Sequence, residues 1–373
     1  MNRVLFVSRN FPPLLGGMER LAFEAAKGLA QQASVTLVGP QGSEAYAPGQ
    51  VLVVPHQSAA RFLPASWWAA NKLAKQVSLQ VVVGGSGLAA PAVLRAARRS
   101  GAQSWCFVHG LDLVVRSRLY RASCLPALRR IDSILANSHN TARLAVEAGI
   151  ASERIKVLHP GVAIGQLHSP QAFLTAYPQT RGRPLLISVG RLLARKGVVE
   201  FIRRALPAVV ARHPNVLLVV AGSEPRDALL RKRDEQSILQ SAITDSGMQS
   251  HVLLTGELSE ERLLSLYAAA RLMVFPVRDL PGDVEGFGMV ALEAAANGVP
   301  TVAFAAGGVA DAVGEGVSGT LIGAGDYPAM ADKISACLSG DSEGISDESC
   351  RAFAAGFAWP QFSARLRRLV FNA

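Results

Sequence analysis

The sequence predicts an α/β protein made of two doubly wound domains in tandem. Short β-branched runs alternate with longer amphipathic segments from end to end, which is the mark of parallel sheets built from βα units. At 373 residues the chain exceeds what one core comfortably supports, and two domains of roughly 150 to 200 residues are expected. The alternation also stops once and restarts. The boundaries expected are 1–165, 166–355 and a final segment, 356–373.

In the first half the strands read R3-V-L-F-V7, V35-T-L-V38, Q80-V-V-V83, W105-C-F-V108, S133-I-L-A136 and K156-V-L158. The helices between them include Met18 to Ala30, Leu88 to Arg99 and Thr141 to Ala148. A polar stretch from Pro160 to Pro184 reads as a linker. Beyond it the strands are L185-L-I-S-V189, V216-L-L-V-V-A221, V252-L-L254, L272-M-V-F275, T301-V-A-F304 and G319-T-L-I322. Such domains bind ligands at the carboxyl ends of their strands, so a cleft between the two is the expected site.

Composition narrows the possibilities. Half the residues are hydrophobic, enough for two cores. Cys106, Cys124, Cys337 and Cys350 form no C-x-x-C pair, so neither a zinc site nor a disulfide framework is expected and a reducing cytoplasm fits. No signal-peptide core precedes Ser8 and Arg9, and no run reaches the roughly 18 apolar residues of a membrane span. The net charge of +10 is uneven: residues 1–170 hold 18 Lys and Arg against 7 Asp and Glu, whereas the rest hold 20 against 21. The basic half includes the amphipathic R61-F-L-P-A-S-W-W-A-A-N-K-L-A-K75. Tryptophans beside lysines suit the interface of an anionic membrane; a solvated basic surface with two core aromatics fits the letters equally. Nucleic acid is not expected, since no recognised motif accompanies the charge.

Three loops carry chemistry. F11-P-P-L-L-G-G-M-E-R20 joins the first strand to the first helix, and Gly16 and Gly17 let backbone N–H groups approach a diphosphate or sugar. I187-S-V-G-R-L-L-A-R-K-G197 repeats the theme around Gly190 with Arg191 and Lys196 added, a fork and a point charge for phosphate. In D283-V-E-G-F-G-M-V-A-L-E-A-A-A-N297 a helix is expected over Phe287 to Asn297, with Glu285 before it and Glu293 about 9 Å along its axis. The N–H groups around Gly286, Phe287, Gly288, Met289 and Val290 then face phosphate, and the two carboxylates, each able to accept a pair of hydrogen bonds, suit sugar and ribose diols. A hydrolytic pair would have to converge on one bond, which residues at the mouth and on the body of one helix do poorly. G85-S-G-L-A-A90 matches the dinucleotide fingerprint in letters. No Asp or Glu lies between Glu44 and Asp112 to hold a ribose, however, so a tight strand-to-helix turn is expected there. No D-x-D cluster accompanies these loops; Asp279 and Asp283 make a weak magnesium site at best, and no metal is expected.

Together these residues resemble the retaining GT-B glycosyltransferases of family 4, the group holding bacterial mannosyltransferases and lipopolysaccharide glycosyltransferases. The resemblance runs through P12-P-L-L-G-G-M-E19, V108-H-G-L-D112, V189-G-R-L-L-A-R-K-G197 and E285-G-F-G-M-V-A-L-E293, followed by A294-A-A-N-G-V-P-T-V-A-F-A-A-G-G308. It implies a GT-B fold and a nucleotide diphosphate sugar as donor substrate, a GDP-sugar ahead of a UDP-sugar, with no further cofactor. It implies that Glu285 meets the donor sugar, Glu293 the ribose, Arg191 and Lys196 the diphosphate, and that His109 lies at the reacting face. It implies a glycan or lipid-linked acceptor held by the basic first domain at the inner face of the cytoplasmic membrane, and a final helix within 356–373 that crosses back to the first domain. Gly84 and Gly85 stand where many members carry a histidine, and Asp311 where a glutamate is usual. A sugar-nucleotide epimerase or hydrolase, and a non-catalytic nucleotide-sugar-binding subunit, are the alternative readings.

Overall fold

A computed structural model describes residues 2–224, 234–341 and 344–372. The chain divides into two compact units: Met1–Gly161 with Gly282–Phe287 and Trp359–Ala373, and Val162–Pro281 with Gly288–Ala358.

The first unit holds seven strands: β1 (Asn2–Val7), β2 (Ala33–Gly39), β3 (Gln50–Val53), β4 (Val81–Gly84), β5 (Gln103–Val108), β6 (Ser133–Ala136) and β7 (Ile155–Val157). They form one sheet in the order β3-β2-β1-β4-β5-β6-β7, every pair parallel. Central strands are buried on both faces and therefore read as continuous apolar runs, as in Val81–Gly84. The order reverses between β1 and β4, and a crevice opens at the carboxyl ends of strands at such a point.

Three helices of this unit matter below: α1 (Gly17–Ala30), α2 (Ala59–Gln76) and α3 (Ala90–Ser100). α2 and α3 pack side by side, burying Phe62, Ala70 and Leu73 from one and Ala92, Val93 and Ala96 from the other. Ser58 caps α2 by accepting from Arg61 N–H, and Gly101 ends α3 in the left-handed conformation. The helix Trp359–Phe371 lies on α1. Gly28 is required there, because a Cβ would fall 2.8 Å from Ser363 Oγ.

The second unit holds β8 (Leu185–Val189), β9 (Leu217–Ala221), β10 (Val252–Gly256), β11 (Leu272–Phe275), β12 (Thr301–Phe304) and β13 (Gly319–Ile322). Their order is β10-β9-β8-β11-β12-β13, again parallel, with the reversal between β8 and β11. Two parallel doubly wound sheets are what the alternation of runs predicts.

The sequence reading and the structure differ in several places. β3 was not anticipated: it is a half-exposed edge strand of four residues, too short to show a period. Part of the expected linker is core, since the helix Gln171–Ala176 buries Phe173, whose N–H donates to Ser265 Oγ at 2.9 Å. Trp67 and Trp68 are not core residues; they are 40% and 60% exposed. The four cysteines are buried and none is in a disulfide. No helix of the described residues is long and apolar enough to cross a membrane.

Candidate functional site

In the first unit the site residues gather past the carboxyl ends of β1, β4, β5 and β6. His109 follows β5 and is only 8% exposed. Its Nε2 lies 2.8 Å from Gly85 O. A carbonyl can only accept, so Nε2 carries the proton and a neutral ring keeps Nδ1 as its acceptor. The ring stacks on Phe107, 6.4 Å between centroids and 2° from parallel. The backbone N–H of His109 donates to Asp112 Oδ2 at 2.9 Å, and Tyr120 donates its hydroxyl to Asp112 Oδ1 at 3.4 Å. Burial pushes the Asp112 carboxyl above its usual range, while the His109 imidazole and the backbone N–H groups of His109 and Gly87 oppose the shift. Asp112 thus ties β5's loop to the turn Gly87–Ala89.

The glycines of G85-S-G have a packing explanation. A Cβ on Gly85 would sit 2.4 Å from Ser8 Oγ, and one on Gly87 would sit 2.1 Å from Tyr120 Oη. The segment is a strand-to-helix turn pressed between neighbours, and α3 begins three residues after Gly87. In the loop after β1, Gly16 has φ 149°, and Gly17 opens α1. Glu19 is buried, and its Oε1 accepts from Asn10 Nδ2 at 2.6 Å. Its carboxylate curls back toward Gly16, where a Cβ would be 2.4 Å from Oε2.

Glu285 belongs to this first unit and is 9% exposed, so it is no solvated surface glutamate. The segment Gly282–Phe287 is pinned at several points. Gly286 approaches so closely that a Cβ would lie 2.3 Å from His109 O and 2.8 Å from Asn137 Nδ2. Phe287 stacks on His159 at 5.6 Å, and that ring meets His139 at 5.4 Å.

In the second unit β8 runs into Gly190, whose φ of 129° suits glycine. Its carbonyl lies only 1.9 Å from where a Cβ on Gly222 would be. Around the open face of Gly190 stand Val290 Cγ1 and Lys196 Cε, 3.9 and 4.0 Å from the position of a Cβ. Lys196 ends a tight turn, Ala194–Lys196, and the next helix runs Val198–Arg204. Its Nζ lies 4.8 Å from the centroid of the Phe275 ring at the end of β11. Arg191, which follows Gly190 in the chain, is exposed. The predicted helix spans Met289–Ala296, two residues shorter at its start, because Gly288 takes φ 100° at the cap position. Val290 is therefore in its first turn, whose N–H groups lack intrahelical acceptors. Glu293 is half-buried on its body, and Tyr267 donates to its Oε2 at 3.4 Å. Burial, then the neighbouring Glu293, holds the Tyr267 hydroxyl well above its usual pKa. Beside Lys196 lies a cavity of about 140 Å³ that also takes in Leu192, Glu200 and Arg278.

Gly190, Lys196, Gly288, Met289, Val290 and Glu293 thus come together in the second unit, and His109, Glu285 and Gly286 in the first. Asp279 and Asp283, the one carboxylate pair that suggested magnesium, fall in different units. Sequence reasoning missed Asp112 as the clip on His109, Tyr267 as the partner of Glu293, and the Arg278–Glu200 ion pair beside Lys196. Asp112 stood inside the quoted H-G-L-D. Tyr267 gave no signal, since its pairing depends on how its helix packs.

Comparison with known proteins adds a second line. The family model described as glycosyl transferases group 1 matches residues 175–355, and that described as glycosyltransferase family 4 matches residues 15–166. The GDP-mannose-dependent alpha-(1-6)-phosphatidylinositol monomannoside mannosyltransferase of Mycolicibacterium smegmatis is 30% identical over 361 residues, 90% of this chain and 89% of that protein. Among solved structures, Anabaena HepE in complex with UDP and glucose superposes with a TM-score of 0.80 at 22% identity, covering both chains in full. WaaG, a glycosyltransferase involved in lipopolysaccharide biosynthesis, superposes with a TM-score of 0.71 at 19% identity, covering 99% of this chain and 100% of that one. With two family models side by side along it and a relative matched over nine-tenths of its length, the chain belongs to the GT-B glycosyltransferases of family 4.

Proposed function

We propose that the chain transfers a mannose-like or glucose-like hexose, with retention and without a metal, from a nucleotide diphosphate sugar to a glycan or lipid-linked acceptor in bacterial surface polysaccharide, lipopolysaccharide or glycolipid assembly. One observation carries the donor half: Lys196 and the first turn of Met289–Ala296 flank the open face of Gly190. A cation, a helix amino end and an exposed backbone form a seat for a diphosphate. Arg191 joins Lys196 on that diphosphate, Glu293 takes the ribose diol, and the N–H groups from Gly286 to Val290 face phosphate. Gly16 and Gly17 leave room for the donor at the loop after β1. Glu285 holds the sugar hydroxyls and His109 lies at the reacting face, where Nδ1 accepts from a hydroxyl.

In the reaction the bond from the anomeric carbon to the diphosphate breaks and a bond to the acceptor oxygen forms on the same face. The departing phosphate oxygen takes the acceptor's proton. Arg191, Lys196 and the helix end stabilise the charge that builds on the leaving group, a role that metal ions fill in other phosphate chemistry.

GDP-mannose is the favoured donor, in keeping with the mycobacterial relative, and UDP-sugars come next, in keeping with the Anabaena structure. The exposed Trp67 and Trp68 support a first unit that docks on anionic lipid, and so a peripheral place on the inner face of the cytoplasmic membrane. The test is a thermal-shift screen of GDP-, UDP-, ADP- and dTDP-sugars, because a ligand that binds the folded state must raise its melting temperature. A rise with GDP-mannose, followed by transfer to a mannosylated lipid acceptor that persists in EDTA, is expected. No rise with any of the four overturns the reading, and activity lost in EDTA and restored by magnesium overturns the metal-free mechanism. Donor turnover without acceptor would favour an epimerase or hydrolase. A pathway unaffected by Glu285→Ala and His109→Ala would favour a non-catalytic subunit.

A further inference from the structure

Glu19 is a second buried carboxylate at the reacting end of the first unit, and no step of the transfer uses it. It stands in the first turn of α1 and is 8% exposed. Its Oε1 accepts from Asn10 Nδ2 at 2.6 Å. Its Oε2 has no hydrogen-bond donor among the described residues, yet it is not one of the polar atoms sealed from solvent without a partner. It takes the place that the missing side chain of Gly16 leaves, 2.4 Å from where a Cβ would be.

The demands of the helix do not explain this arrangement. An acid in a first turn gains from the helix dipole with its head in water, and burying it with one partner gives part of that gain back. Glu19 is also the third residue of the helix, from which a side chain can reach back to the N–H of the capping residue, here Gly16. Asn10 is its donor instead.

Asn10 also fixes where Glu19 lies relative to His109. Val7, Gly84 and Cys106 are level across the neighbouring strands β1, β4 and β5, and Asn10 and His109 each stand three residues further on. The strand ends between them are joined. Ser8 Oγ donates to Asn10 O at 2.6 Å, a Cβ on Gly85 would meet Ser8 Oγ at 2.4 Å, and Gly85 O accepts from His109 Nε2. Two strand spacings amount to roughly 10 Å. A hydrogen bond of about 2.8 Å at each end leaves about 4 Å between two ligand oxygens, which is the separation of hydroxyls across one sugar ring. A carboxylate can only accept, so its ligand is a donor such as a hydroxyl, and its charge repels phosphate or a second carboxylate.

We infer that Glu19 binds a hydroxyl of the acceptor's terminal sugar, on the same ring that presents its nucleophilic hydroxyl to His109, and that the acceptors are glycosides ending in a neutral hexose. The inference rests on the reading of the chain as a transferase and names which acceptors it takes.

The test pairs whichever sugar nucleotide raises the melting temperature with the octyl glycosides of mannose, glucose, galactose and N-acetylglucosamine, and then with monodeoxy forms of the glycoside that is turned over. Glu19→Gln keeps the shape and removes the charge. It is expected to raise the acceptor KM about tenfold or more, with the donor KM and the melting temperature unchanged. One deoxy acceptor should lose about tenfold or more with the wild type but about threefold or less with Glu19→Gln, because both changes delete the same hydrogen bond. If Glu19→Gln does not fold, Asn10→Ala, which frees the carboxylate without removing it, should raise the acceptor KM about threefold or more at constant donor KM. Equal deoxy penalties in the two enzymes, or both KM values rising together with a lower melting temperature, would reduce Glu19 to a holder of the loop. A donor that binds but is transferred to none of the four glycosides would overturn the acceptor class, whereas no donor binding at all counts against the transferase reading itself.

Discussion

Glu285 and Glu293 are eight residues apart, yet they serve different neighbours. Glu293 is tied to Tyr267 in the second unit, whereas Glu285 packs with the first. Glu293→Gln is therefore expected to raise the donor KM about tenfold or more with little change in kcat, as for loss of charge-assisted hydrogen bonds. Glu285→Ala is expected to lower kcat by about a hundredfold. Steady-state kinetics decide, and equal effects on both constants for both variants would refute the division. Tyr267→Phe should cost about 1 kcal/mol in urea titrations and raise the donor KM a fewfold. Asp112 invites a pH experiment. Its folded pKa is raised, so the protonated acid is favoured in the folded state. Its contribution to stability is fully present below the unfolded value of about 3.9 and is lost as pH rises through the folded one. The stability of the wild type relative to Asp112→Asn should thus fall as pH rises above about 4. A difference that grows with pH would mean that the N–H donors of His109 and Gly87 outweigh burial.

At the scale of elements, the central strands and their glycine-ended loops were legible because burial on both faces writes them as apolar runs. β3 was not legible, since an edge strand of four half-exposed residues leaves no pattern. The site was legible loop by loop: His109 directly follows β5, Lys196 lies in the connection after β8, and Glu285 and Glu293 lie in the connection between β11 and β12. What the letters do not contain is the closeness of one loop to another, such as Gly190 against Gly222. That contact also yields a prediction. Gly222 has φ 147° and a Cβ there would meet Gly190 O at 1.9 Å, whereas Gly247 has φ 67° and open space. Gly222→Ala should cost about 3 kcal/mol or more, from strain and overpacking together, against about 1 kcal/mol for Gly247→Ala. Comparable losses in denaturant titration would mean that the β8 and β9 loops yield.

At the scale of the whole molecule, each unit has its own sheet and core, so each should open with its own free energy. Trp359 tests this. Its ring covers Gly161, where a Cβ would lie 2.4 Å from Cε3, and Arg20 stands 5.9 Å over it. Trp359→Ala should cost about 3 to 5 kcal/mol. In hydrogen exchange the loss of protection should fall on α1 and β1 and spare β8 and β9; uniform loss across both sheets would show one cooperative block instead.

The three-segment make-up of the first unit also bears on how the protein is made. Residues 1–161 leave the ribosome early, but the helix that covers α1 is synthesised some 200 residues later. At about 5 to 20 residues per second, the completed segment 1–161 waits roughly 10 to 40 s with the apolar flank of α1 uncovered. The second unit, nearly continuous in the chain, can close its core during that interval. Nascent first units therefore present a binding surface for holding chaperones, and rare codons placed between residues 161 and 358 would lengthen the exposure.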